Sequence, residues 1–72
     1  MWKQGIYQGH WWQAKVFDKP SAFGINGGRI SKLVVCIGDK WDHKLCIYNY
    51  DLGVAFDRTN KGFIDALLTH IN

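Results

Sequence analysis

From Trp2 to Asp57 the apolar residues recur mostly at every second position, and only the last segment changes period. There Phe63, Ile64, Leu67, Leu68 and Ile71 fall at i, i+1, i+4, i+5 and i+8, one face of an α-helix, with Asp65, Thr69 and Asn72 elsewhere. A chain of strands with a single helix can cover only one face of its sheet in this way. The 72 residues leave room for one domain, 1–72, and one modest core. The expected fold is α+β: a four- to five-stranded antiparallel β-meander with one C-terminal α-helix packed on one face.

In the first strand Trp2, Gln4 and Ile6 alternate with Lys3, Gly5 and Tyr7. In the second, Trp12, Ala14 and Val16 alternate with Trp11, Gln13, Lys15 and Phe17. A three-residue turn centred on Gly9 sets Ile6 opposite Trp12, Gln4 opposite Ala14 and Trp2 opposite Val16, gathering the apolar set on one face. A two-residue turn would mix the faces, so the three-residue turn is expected, with Tyr7 beside Trp11 and Lys3 opposite Lys15.

Pro20 cannot donate to a ladder, and "DKPSAFGINGG" reads as the longest connection. "RISKLVVCIG" then reads as a central strand, apolar on both faces from Leu33 onward. A hairpin centred on Trp41 puts Cys36 opposite Cys46, and "GVAFD" can add an edge strand. Thr59 or Asn60 can cap the helix.

On this register the helix covers Trp2, Ile6, Trp12, Ala14, Val16, Leu33, Val35, Ile37, Leu45 and Ile47. The opposite face carries Tyr7, Trp11, Lys15, Ile30, Lys32, Val34, Cys36, Cys46, Tyr48 and Tyr50. Large aromatics with interleaved lysines on an uncovered face mark a contact surface. The alternative is a lid: the Pro20 to Gly28 loop folds over this face, with Phe23 and Ile25 as plugs.

The chemistry-bearing residues are few. "SAFGINGGRISKL" fails as a phosphate loop, because the count from Gly24 reaches Arg29 where a second glycine is needed, and the segment after the glycines reads as a strand. Asn26-Gly27-Gly28 instead supplies positive φ for a chain reversal. Cys36, His43 and Cys46 lack the close cysteine knuckle of a zinc site, and two free, half-buried thiols are expected. No serine has a local histidine, and all six acidic residues are aspartate. No catalytic residue, metal or cofactor is expected, and the chain reads as a non-enzyme. No apolar run approaches a membrane span and the first residues lack signal-peptide character, so the expected location is cytoplasmic. Nine basic against six acidic residues give a mild excess of +3.

At "KVFDKPSAFGINGGRISKL" the chain resembles a family of small uncharacterised proteins of Gram-positive bacteria and their phages. That family shares an aromatic first hairpin, an "AKVFD" strand, a "GI-x-x-GRISKL" element, a second hairpin ending in "YD" and a C-terminal helix. The resemblance covers almost the whole chain. It implies a context rather than an activity: small proteins of mobile elements often block or redirect a host machine, bacterial immune systems included.

Three functions fit these residues. The first is a protein-binding module, an inhibitor of a host protein, contacting its partner through Tyr7, Trp11, Lys15, Tyr48 and Tyr50, helped by Arg29 and Lys32. The second is nucleic-acid binding on the same face, bases stacking on the aromatics while Lys3, Lys15, Arg29 and Lys32 hold phosphates. The third is a homodimer that buries this face.

Overall fold

The computed structural model describes all residues, Met1–Asn72, and shows a five-stranded antiparallel meander followed by one helix. The strands are β1 (Trp2–Tyr7), β2 (His10–Val16), β3 (Ile30–Ile37), β4 (Cys46–Asp51) and β5 (Val54–Asp57), adjacent in chain order. The helix, α1, spans Phe63–Ile71. Its buried residues Leu67 and Ile71 pack with Trp12, Ala14, Val16, Leu33, Val35 and Tyr48, and Phe63, Ile64 and Leu68 flank them. The meander, the central β3 and the helix on one face match the pattern in the sequence; three local features change which residues share that face.

The first is the turn between β1 and β2. It has two residues, Gln8 and Gly9, with φ of 49° and 76°, and Tyr7 pairs with His10. Two positive φ angles are those of a type I′ turn, whose twist matches that of the strands it joins. The expected three-residue turn is therefore wrong, and β1 is inverted. Trp2, Gln4 and Ile6 lie on the face away from α1, while Tyr7 lies under it, its ring 4.7 Å from that of His70 and 5.9 Å from that of Phe63. Lys3 stands opposite Ala14, so the expected Lys3–Lys15 pair does not form. The packing that favours this register is at Gly5, opposite Trp12: a Cβ there would lie 3.2 Å from the indole. The large ring fits where β1 has no side chain.

The second feature is a bulge at Ser31. Lys15 pairs with Lys32 but Val16 pairs with Ile30, so Ser31 is the extra residue. Ile30 thereby turns into the core beneath α1, not onto the open face as its alternation implied. The third is a bulge at Ile47. Cys36 pairs with Cys46 as expected, but Val35 pairs with Tyr48 and Leu33 with Tyr50. Tyr48 and Tyr50 therefore join the covered side, where Tyr48 is 2% exposed.

The long connection also goes to the covered side. Ile25 is buried in the core, and the Tyr50 hydroxyl donates to the Phe23 carbonyl at 2.8 Å. Gly24 approaches the Gly28 carbonyl so closely that no Cβ fits between them. Asn26 and Gly27 take φ of 55° and 69°, whereas Gly28 is extended at −95°. The loop is thus no lid over the open face: Ile25 is a plug on the helix side, and Phe23 is 65% exposed.

No side chain caps α1. Its N-cap is Gly62 at φ 83°, and Thr59 instead hydrogen-bonds Asp57, Oγ1 to Oδ1 at 2.6 Å and N to Oδ1 at 2.9 Å. No helix is long and apolar enough to cross a membrane.

Candidate binding face

With α1 and the loop on one side, the other side of the sheet lies open. Three of the four tryptophans are there or at its rim. Trp2 projects from β1, Trp11 from β2, and Trp41 comes from the β3–β4 connection to meet Trp11 edge-on at 6.3 Å between ring centroids. Trp2 and Trp41 are each 55% exposed and Ile6 is 48% exposed. Val34 on β3 and Phe56 on β5 extend the apolar strip; Phe56 pairs with Asn49, whose side of β4 is the open one.

Polar groups are set among these rings at the spacing of the pleat. Gln4, Gln13 and Asn49 form an amide row across β1, β2 and β4, since Gln4 pairs with Gln13, Gln13 with Val34 and Val34 with Asn49. Lys15 pairs with Trp2 and lays its ammonium 5.9 Å from that ring and 5.4 Å from the ring of Phe17. Lys32 pairs with Asp51 at 3.6 Å, a half-exposed contact worth only about 0–1 kcal/mol. Arg58 lies 5.4 Å over Phe56. Trp11, Gln13, Val34, Trp41 and Asn49 frame a shallow depression in the middle of the face.

Beside Trp11 on the same side of the sheet, Cys36 is buried and Cys46 half-buried, both as free thiols. Burial pushes the Cys46 thiol above its usual range, and the neighbouring Cys36 adds to the shift. No group of three His, Cys, Asp or Glu side chains is gathered where it could hold a metal ion.

Of the seven residues expected at a site, the structure brings Trp11, Lys15 and Lys32 together on the open face. It removes Tyr7, Tyr48 and Tyr50 to the covered side, for the reasons of turn and bulge given above. Arg29 is also elsewhere: its guanidinium donates to the Asn72 side chain at 3.2 Å, at the end of α1. Sequence reasoning missed Trp2, Ile6, Trp41 and Phe56 as members of this face. The signals for the first two were Gln8-Gly9 as a two-residue turn and Gly5 as the gap that admits Trp12.

A family model described as a domain of unknown function, DUF7678, matches residues 1–71. No curated protein and no solved structure matches the chain.

Proposed function

The chain belongs to the DUF7678 family, and we propose that it is a non-enzymatic protein-binding module whose contact surface is the open sheet face. The observation that carries this reading is the concentration of Trp2, Trp11 and Trp41 on the side that neither α1 nor the loop covers. Tryptophan is the residue type most enriched among interface anchors, and an amide row between apolar patches supplies direction to the contact. Arg29, Tyr7, Tyr48 and Tyr50 leave the proposed site, and Trp2, Ile6 and Trp41 enter it. The resemblance to small proteins of Gram-positive bacteria and their phages supports a host protein as the partner and inhibition as the outcome.

Capture from host lysate tests this with two variants beside the wild type. Trp11→Ala with Trp41→Ala should release the partner, and Arg29→Ala should keep it. Equal capture by all three would sink the assignment of the face.

Nucleic acid is the second reading, because Lys15, Lys32 and Arg58 lie among the same rings. Asp51 offsets one of these charges, and Lys15 rests over aromatic rings, so the face offers few free cations. Binding to single strands or duplex that falls steeply as salt rises would favour this reading over the first. A homodimer that buries the whole open face is a third, and a monomeric mass at high concentration removes it.

A further inference from the structure

β1 is the first strand of the sheet, and its outer edge has no neighbour. The register fixes which groups that edge presents. Tyr7 and His10 close the two-residue hairpin, and residues that exchange both hydrogen bonds with the neighbouring strand alternate along an antiparallel pair. At the far end Val16 N donates to Met1 O at 2.8 Å and Met1 N to Val16 O at 2.9 Å, which sets the same parity. Lys3, Gly5 and Tyr7 therefore turn their backbone groups toward β2, and Trp2, Gln4 and Ile6 turn theirs outward. The opposite edge is blunted: β5 has four residues, a register shift beside Tyr50, and Asp57 and Arg58 at its end. The corresponding device on β1 is Lys3 alone.

We propose that β1 pairs antiparallel with β1 of a second copy of this chain, about a two-fold axis through Gln4. In this register Gln4 faces Gln4, Trp2 faces Ile6 and Ile6 faces Trp2, so every outward N–H and C=O of the three residues finds a partner. Directly opposite residues share a face. On the open side the two amides meet at the centre, with an indole against an isoleucine to either side. On the other side Lys3 lies opposite Gly5, which has no side chain of its own and is overlaid by the Trp12 indole.

Neighbouring registers do worse. One puts Lys3 against Lys3 and leaves Ile6 beyond the partner strand. The other puts Gly5 against Gly5 and Trp2 against the turn residue Gln8. A slip by a single residue would mix the two faces. The chosen register is self-complementary, which an arbitrary peptide strand would not be. It joins two sheets with both helices on one side and both open faces on the other, whether or not those faces take a protein partner.

Sedimentation equilibrium of the full chain across a wide concentration range should give a two-chain mass that Gln4→Pro reduces to one. Proline is tolerated at an edge position whose N–H points outward, and circular dichroism checks that the variant is folded. Under mild oxidation Gln4→Cys should cross-link to itself. Trp2→Cys should cross-link to Ile6→Cys in a mixture, and neither should do so alone. A one-chain mass at every concentration overturns the proposal, as does a two-chain mass that persists in folded Gln4→Pro. Failure of Gln4→Cys to cross-link in a chain of two-chain mass overturns it too, because the interface would then be elsewhere.

Discussion

Cys36 and Cys46 stand directly opposite each other across β3 and β4, and the next pair along, Val35 with Tyr48, has stepped over Ile47. One inserted residue thus leaves both thiols on the open side and sends both following tyrosines beneath α1. Deleting Ile47 would make Val35 with Tyr48 the next pair in plain alternation and keep Tyr48 and Tyr50 beneath α1, whereas deleting Asn49 would send one of the two tyrosines to the open side. The loss for the Asn49 deletion should exceed about 4 kcal/mol, enough to abolish a cooperative transition in a domain of this size, whereas the Ile47 deletion should keep one. Urea denaturation followed by circular dichroism distinguishes the two.

The facing thiols make a second expectation. Opposite residues of an antiparallel pair have Cα atoms about 4.5–5.5 Å apart, within the range a disulfide spans. Hydrogen peroxide should convert the pair to a disulfide, each thiol losing one hydrogen and the peroxide leaving as water, and mass spectrometry reads the loss. Cys46→Ser should prevent it. Because burial, then Cys36, holds the Cys46 thiol protonated, alkylation near neutral pH should be slower than for an unburied cysteine and should rise above the ordinary thiol range.

Tyr48 carries a pH dependence of stability. Burial first, then the charges of Asp57 and Tyr50, pushes its hydroxyl up from 10.0 to about 12. The unfolded chain therefore loses this proton before the folded one does. Its contribution is intact below pH 10 and lost as pH rises toward 12, about 3 kcal/mol in all. Tyr48→Phe should lose less stability than the wild type over that interval, while below pH 10 the difference between the two should not change with pH.

Gly5 is expected to resist substitution although its backbone is not strained. A valine there meets the Trp12 indole, which is boxed in by the core, and should cost about 1–3 kcal/mol. Gly53, with open space where its Cβ would be, is the control. Chemical denaturation of both variants checks the contrast.

The meander, the helix and the Cys36–Cys46 pairing were legible because each rests on a period or a turn length that many residues support. Which face a residue occupies was not, because a single extra residue inverts it without altering the apolar pattern on either side. The signs were local. Ile30 and Leu33 are both core residues at a spacing of three, which alternation forbids unless Ser31 is left out of the ladder. Gly5 lies across from the largest side chain in the core. Gln8 takes a left-handed backbone that its side chain does not advertise, and so the sequence points to the longer turn. The reading of the open face inherited these inversions: Trp11, Lys15 and Lys32, on strands not yet inverted, do lie on the open side of the sheet, and the tyrosines do not.

The division of the tryptophans between the two sides gives the molecule a built-in optical label. Trp2 and Trp41 stand in water and dominate the long-wavelength emission that iodide can quench, while Trp12, sealed under the helix, emits at shorter wavelength and is shielded from it. A macromolecule settling on the sheet would protect the first class and leave the second untouched. Detachment of the helix would do the reverse, so occupancy and unfolding would be told apart without attaching a dye.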